Sequence, residues 1–402
     1  MVRVTWDEGS KQARQMQRLL RHQQVVHLLR SSGPMARADL AEELGLDRPT
    51  MTAIVRELIE AGALVELEVQ GSGSRGRPRT LLGCNPKVRR VIGIEIDPLR
   101  ARVVLADGAG IISSEGETPT GKRRPTAVVQ SIIRIAKKLI SESSGGRVVA
   151  AGVCIPGYVD DASGLVIESH ELGWKIIDLG ALISKALGIP VAVQDITKAV
   201  TLTEAIAGKA RESRLAVVLD YGHRLGIGLI RNGRPSAGAT GVAGAIGHIQ
   251  LYGGKIQCCC GRIGCVEAEI SMQAMQAAAP QTAGVPFDDI DFDSVVRRST
   301  ADPESQRIVR DVVDRVAHLA VLIEALIDPE LLVIAGLIVE FDELAAALEA
   351  RIEELRPPER KGRTATVRSH VRRNNRVGGV SVVVALQQLD PAISGMWGTA
   401  DA

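Results

Sequence analysis

Apolar residues recur at helical spacing from about Gln15 to Ser31, with Met16, Leu19, Leu20, Val26 and Leu29 on one face. Ser31-Ser32-Gly33-Pro34 ends that pattern. The stretch ARADLAEELG predicts a short second helix, with Leu40 and Leu44 on its apolar face and Gly45 as its stop. Asp47 is placed to cap a third helix, and Pro49 is tolerated in its first turn. That helix reaches about Ala61, buries Met51, Ile54, Val55, Leu58 and Ile59, and closes at Gly62. ALVELEV and TLLG then suit two strands, carrying Leu64, Val65, Leu67 and Val69 on one and Leu81 and Leu82 on the other.

The pattern changes at about Val91. VIGIEI, ARVVLAD and GIISSEG read as consecutive strands with turns at Asp97-Pro98 and Asp107-Gly108. A helix over roughly Ala127 to Ser141 and a buried strand, VVAAGVCIPG, follow. A second round begins near Leu215 with LAVVLDYG and GIGLIRNG, continues through a long helix around Ile308 to Ile327, and ends in LLVIAG. Two successive α/β lobes are therefore expected, which agrees with a length of 402 residues, too great for one ordinary core.

The first module predicts a helix-turn-helix followed by a two-stranded wing. Arg37 lies on its second helix, and Arg48, Thr50, Thr52 and Arg56 lie opposite the apolar stripe of the third. Residues of these types reach base edges and phosphates when a helix enters the major groove of double-stranded DNA. The loop GSGSRGRPR brings Arg75, Arg77 and Arg79 to the wing tip, which suits a narrow, AT-rich minor groove. Charge supports this reading: residues 1–90 carry 15 Lys+Arg against 10 Asp+Glu, while the whole chain has a net charge of only +2. A plain three-helix bundle with a solvated polar face would show a similar pattern.

Composition narrows the remaining choices. Aromatic residues are 2%, too few for single-strand stacking platforms. No apolar run reaches the roughly 18 residues that span a bilayer, and the first residues carry no signal-peptide core, so no membrane association and a cytoplasmic location are expected. Four of the six cysteines fall between Cys258 and Cys265, which in a cytosolic protein points to metal rather than disulfides. His248, Cys258, Cys260 and Cys265 offer one imidazole and three thiolates, a set suited to a tetrahedral structural Zn2+. The basic run from Arg356 to Arg376 reads as a solvated surface, with a second DNA contact as the alternative.

The stretches GPMARADLAEELGLDRPTMTAIVRELIEAGALVE, SRGRPRTLLGCNP, IPGYVDDASGLV, ELGW, ALGIPVAVQD, GRPSAGATGVAGAIGH, CCCGRIGCVEA and DPELLVIAG resemble, in order, segments of the ROK family (repressors, open reading frames and sugar kinases). The N-terminal module is similar to that of its sugar repressors, of the xylose, N-acetylglucosamine or glucose type. The resemblance implies an α/β fold with a winged helix-turn-helix domain over residues 1–84. A two-lobed actin/hexokinase-like (ribonuclease H-like) domain over 85–402 follows, for oligomerisation and effector binding. It implies a DNA-binding regulator of carbohydrate genes, acting as a homodimer or homotetramer on a palindromic operator. It also implies zinc on His248, Cys258, Cys260 and Cys265, with Cys259 as a departure from the family pattern.

Sugar binding in the family's kinases implies Gly157, Gln194, Asp195, His248 and Glu267 as ligand contacts here, with one family glutamate replaced by Ala245. The kinases' two phosphate loops correspond to Glu95-Ile96-Asp97-Pro98-Leu99 and to Gly222-His223-Arg224-Leu225-Gly226-Ile227-Gly228. Pro98 offers no N–H, and Arg224 stands where bare glycine backbone is wanted, so no phosphoryl transfer is expected. A working sugar kinase and a regulator controlled by a protein partner are the alternatives.

Overall fold

A computed structural model describes residues 25–26, 28–29, 32–60, 63–68, 80–85, 89–107, 112–121, 123–143, 146–222, 225–236, 238–239, 242–251, 253–271, 303–369, 371 and 380–385. In the N-terminal module, residues 25, 26, 28, 29 and 32 are helical, so Ser32 still belongs to the first helix rather than to its stop. Strand β1 (Met35–Ala36), α1 (Arg37–Glu43), α2 (Arg48–Glu60), β2 (Leu64–Glu68) and β3 (Thr80–Cys84) follow. Gly45, at φ +60°, makes the left-handed turn after α1 that a side chain would strain. Leu40, Met51, Ile54, Val55, Leu58, Leu64 and Leu82 form one core with Val25, Leu28 and Leu29. The antiparallel ribbon pairs Leu64 with Cys84 and Glu68 with Thr80, and β1 adds to its other edge. The expected wing tip, with Arg75, Arg77 and Arg79, lies outside the described residues.

The first lobe is a five-stranded sheet. Strands β4 (Arg89–Ile96), β5 (Arg100–Asp107) and β6 (Ile112–Pro119) form an antiparallel meander. Strands β7 (Arg147–Ile155) and β11 (Val191–Asp195) extend it in parallel, in the order β11-β7-β4-β5-β6. Central β4, β5 and β7 are almost continuously apolar because both faces are covered. Edge strand β6 is polar, and its Glu115 and Glu117 pair with Arg102 and Arg100 of β5. Helix α3 (Pro125–Glu142) places Val128, Val129, Ile132, Ala136 and Leu139 at helical spacing on one sheet face, beside α4 (Leu179–Leu187). On the other face, helical residues 380–385 lie so close that a Cβ at Gly152 would strike the backbone of Ser381 and Ala385.

A small antiparallel sheet of β8 (Tyr158–Asp160), β9 (Leu165–Ser169) and β10 (Trp174–Asp178) stands beside this lobe. Helix α5 (Ile196–Ala207) then leads to the second lobe. There β12 (Leu215–Tyr221), β13 (Leu225–Arg231) and β14 (Arg234–Ser236) form a meander, extended in parallel by β15 (Leu331–Ala335) and β16 (Ala365–Arg368). The order β14-β13-β12-β15-β16 repeats that of the first lobe, so the second half is the first half's architecture again. Among the described residues, helices α6 (Val266–Ile270), α7 (Pro303–Ile327) and α8 (Asp342–Leu355) belong to it. Beyond α5, Arg211 Nη1 donates to Ser32 Oγ at 3.3 Å and joins this body to the N-terminal module.

Two arginines of the basic run after α8 depart from expectation, while Lys361 and Arg363 are exposed as expected. Arg356 is 4% exposed and is bound by both carboxylate oxygens of Glu324, itself 1% exposed, and by Glu353 and Thr366. Arg368 is held by Glu349 in a two-pronged contact and by Asp342. These arginines join α7, α8 and β16 internally rather than forming a solvated face, because their partners come from elements distant in sequence.

Candidate functional site

The N-terminal module offers an exposed helical face. Asp47 caps α2, its Oδ1 accepting the Thr50 N–H at 2.8 Å and its Oδ2 the Thr50 hydroxyl at 2.9 Å. Thr50 is thus half-buried and occupied by the cap, and Thr52 Oγ1 donates to Arg48 O at 2.8 Å. The guanidinium groups of Arg48 and Arg56 stand on the outer face, where Arg56 meets Glu60 only at 4.0 Å. Arg37 forms an ion pair with Glu66 of β2 and ties α1 to the ribbon.

In the second lobe the chain folds back on itself around four ligand groups. His248 ends a short 3-10 turn, Ile246–His248. Bridges between Gln250 and Cys265 and between Gln257 and Ile263 close a narrow loop. Gly261, at φ +86°, makes its tip, where its N–H donates to Cys258 O. Gly264 passes so close to Gly254 that a side chain would not fit. One ligand atom from each of His248, Cys258, Cys260 and Cys265 lies within 4.8 Å of all the others. The Cys260–Cys265 sulfur separation is 3.7 Å and the Cys258 Sγ–His248 Nδ1 separation is 3.4 Å. Thiolate–metal bonds of about 2.3 Å in a tetrahedron require edges of about 3.8 Å, slightly less where nitrogen replaces sulfur. The four groups therefore fit a tetrahedral metal ion.

The cluster's protonation follows its surroundings. Burial pushes the Cys265 and Cys259 thiols up to about 12, and neighbouring thiolates add to this. Burial acts in the same direction on Cys260 and is the largest single influence there, but hydrogen bonds from Arg262, Cys258 and Cys265 together outweigh it and bring that thiol down to about 7. A bound dication would oppose the upward shifts, because its charge exceeds that of any neighbour. Cys259 is exposed and outside the four-ligand set, yet its sulfur lies 3.9 Å from that of Cys258.

The expected ligand residues lie on elements that meet beside this cluster. Asp195 ends β11 and caps α5: its Oδ1 accepts from Thr197 N at 2.9 Å and Lys198 N at 3.4 Å, and its Oδ2 from Gly157 N at 3.4 Å. Gly157, at φ +146°, sits so close to Glu168 O and Ser169 that its missing side chain is required. Gln194 is 4% exposed and its Oε1 accepts no hydrogen bond from the described residues. Glu267 is buried in the first turn of α6, and a Cβ at Gly247 would lie 2.7 Å from its Oε2. Two groups escaped the sequence reading. The His170 ring meets the His248 ring edge-on at 5.1 Å, and Tyr158 lies at 6.2 Å. The Lys198–Asp161 pair, 2.6 Å apart, adjoins Asp195; burial raises the Asp161 pKa while Lys198 opposes the shift.

The β4–β5 turn and the glycines of β13 are engaged within the chain. In the β4–β5 turn, Asp97 Oδ1 accepts from Leu99 N at 2.7 Å and Arg100 N at 2.8 Å. Gly226 and Gly228 face α5, where side chains would strike Thr197 and Thr201. His223 and Arg224 lie outside the described residues.

Comparison with known proteins agrees with this architecture. A sequence profile of the ROK family matches residues 91–385, and one of the MarR family matches residues 21–65. The DNA-binding transcriptional repressor Mlc of Escherichia coli is 27% identical over 264 residues, covering 62% of this chain and 63% of Mlc. The xylose repressor of Bacillus spizizenii is 27% identical over 253 residues, covering 62% and 65% respectively. The match thus spans slightly less than two thirds of either relative. The dual regulator NagC of Escherichia coli is 24% identical over 369 residues, covering 89% of this chain and 91% of NagC. Among solved structures, a ROK family transcriptional regulator homologous to Mlc superposes with a TM-score of 0.74 at 24% identity, covering 95% of this chain and 98% of that one. A ROK family glucokinase from Streptomyces griseus, solved with glucose and AMPPNP, gives 0.62 at 21% identity, covering 74% and 99%. These structural likenesses establish the fold, including the two-lobed α/β body.

Proposed function

Because the chain belongs to the ROK family, we propose that it is a DNA-binding transcriptional regulator, a repressor of carbohydrate-related genes, whose operator affinity is set by a sugar or sugar derivative. The observation that carries this reading is the helix-turn-helix with its ribbon, presenting Arg48 and Arg56 outward on α2 and joined to a two-lobed sugar-kinase-like body. In this reading α2 lies in the major groove and the wing arginines Arg75, Arg77 and Arg79 reach the adjacent minor groove. The protein acts in the cytoplasm as a homodimer or homotetramer on paired half-sites.

The effector occupies the region around Asp195, Gln194, Gly157, His248 and Glu267. Gln194 supports this assignment: its amide oxygen is buried and has no hydrogen-bond partner among the described residues, which leaves an acceptor for a ligand hydroxyl. The sugar is bound rather than phosphorylated. The turn that would cradle a phosphate already commits two N–H groups to the Asp97 carboxylate, and Pro98 supplies none. Zinc holds His248, Cys258, Cys260 and Cys265 as a structural ion, since four protein ligands leave no open coordination position.

Duplexes selected from a random pool by the purified protein, then titrated by fluorescence anisotropy with a panel of monosaccharides and their derivatives, test the reading. Specific binding relieved by one class of sugar is the expected result. Absence of any selected duplex, or sugar-dependent ATP consumption in a coupled assay, would overturn it.

A further inference from the structure

The metal loop is held by a carboxylate outside the four-ligand set. Glu269 stands four residues beyond Cys265, in α6, and its side chain is 8% exposed. Its Oε1 accepts two consecutive backbone N–H groups, those of Lys255 at 2.6 Å and Ile256 at 2.7 Å. Gly254 passes so near that a Cβ there would lie 3.1 Å from the same oxygen. The backbone N–H of Glu269 itself donates to Cys265 O at 3.0 Å. One residue thus ties the segment that leads into Cys258 to the turn that carries Cys265. Burial does little to hold that segment, since Gly253, Lys255, Ile256 and Gln257 are exposed.

We propose that Glu269 is a positioning residue of the metal site: it presets the approach of Cys258 and Cys260 to His248 and Cys265, and so raises the affinity for zinc without being a ligand. This rests on the zinc assignment made above. Four ligand groups are gathered within 4.8 Å of one another, and a loop that must order itself to gather them loses backbone freedom on binding. Ordering that the chain supplies beforehand removes that opposition. Ile256 is a fixed point of this kind, two residues ahead of Cys258. Its N–H goes to Glu269, and its carbonyl accepts from Gly264 N at 2.8 Å.

A carboxylate suits this task better than a neutral acceptor. Two N–H groups converging on one ionised oxygen make charge-assisted hydrogen bonds, which are shorter and about twice as strong as neutral ones. The distances of 2.6 and 2.7 Å agree with that. The Oε2 atom faces Arg315 of α7 at 3.6 Å, and that half-exposed guanidinium also pairs with Asp311 at 3.0 Å. An ion pair so open to solvent contributes little, so the two backbone hydrogen bonds carry the effect.

The experiment uses the full chain loaded with zinc, as wild type, Glu269→Ala, Glu269→Gln and Arg315→Ala. A chromogenic chelator withdraws the zinc at equilibrium, and urea unfolding at saturating zinc is followed on the same preparations. Outer partners of metal ligands typically carry 10- to 100-fold in affinity, so Glu269→Ala should bind zinc about 10- to 100-fold more weakly. Glu269→Gln keeps an oxygen for both N–H groups, and with neutral hydrogen bonds about half as strong it should lose only about 3- to 10-fold. Should Glu269→Ala not fold, Glu269→Gln decides by the same measurement. Arg315→Ala should match the wild type. Wild-type affinity in the Glu269 variants, whether or not the urea midpoint falls, would overturn the proposal and leave Glu269 a brace for the fold alone. A loss in Arg315→Ala as large as that in Glu269→Ala would overturn it by placing the effect in the ion pair. A wild type that takes up no zinc would overturn the zinc assignment first, and the role of Glu269 with it.

Discussion

Asp195 caps α5 and, under the proposed function, also binds the effector, and two substitutions separate the two roles. Its carboxylate accepts from Thr197 N, Lys198 N and Gly157 N, so Asp195→Ala leaves three donors to find other partners. Loss of an N-cap costs about 1 kcal/mol, and the stranded Gly157 N–H brings the total to about 1–2 kcal/mol. In a large domain this lowers Tm by about 2–4 °C per kcal/mol. Asparagine caps a helix as well as aspartate does, so Asp195→Asn should melt within about a degree of the wild type. It removes the charge, however, and a hydrogen bond to a charged group contributes about 1.5–3 kcal/mol. The effector concentration for half-release of operator should therefore rise about 10- to 150-fold in Asp195→Asn. Thermal unfolding and anisotropy titration of the same preparations measure both quantities. If Asp195→Asn released operator at the wild-type sugar concentration, Asp195 would be a cap alone and the effector would bind elsewhere. If it melted as early as Asp195→Ala, the capping argument would be wrong.

Three further outcomes are expected. Cys265→Ser should purify with less than one zinc per chain by elemental analysis, and zinc retention by the wild type should fall as pH is lowered, because thiolate ligands must lose their protons to bind. Arg356→Ala strands Glu324 in the second lobe and should lower unfolding free energy by about 3–5 kcal/mol in urea, whereas Arg356→Met combined with Glu324→Leu should recover most of it. Arg48→Ala and Arg56→Ala should weaken operator binding, and each that contacts a phosphate should reduce the slope of log affinity against log salt by about 1; an unchanged slope and affinity in both would place the interface elsewhere.

Features written in local spacing were legible in the sequence. The cap on α2 follows from Asp47 standing just ahead of an apolar stripe, and the candidate metal cluster from one histidine and three cysteines within eighteen residues. The meander strands and α3 could be read from their periodicity. Features that depend on distant partners were not. Arg356 looks like a surface cation until Glu324, thirty-two residues earlier, is brought beside it. His170 meets His248 only because the β8–β10 sheet folds toward the second lobe, and those short strands show no sustained alternation. Thr50 suited base contact by residue type, but its hydroxyl is engaged by Asp47, three residues away. That local competition for a hydrogen bond is invisible to a reading of helix faces alone.

Helix α5 has Asp195 at its head, and just past its tail Arg211 rests on Ser32. Twelve residues of helix make a rod about 18 Å long, stiff along its axis. Pivoted at one end, such a rod converts a tilt of about five degrees into a swing of about 1.6 Å at the other. The glycines of β13 let α5 lie flush on the sheet, Gly226 beneath Thr197 and Gly228 beneath Thr201, so a side chain at either would lift the helix and displace both of its ends together.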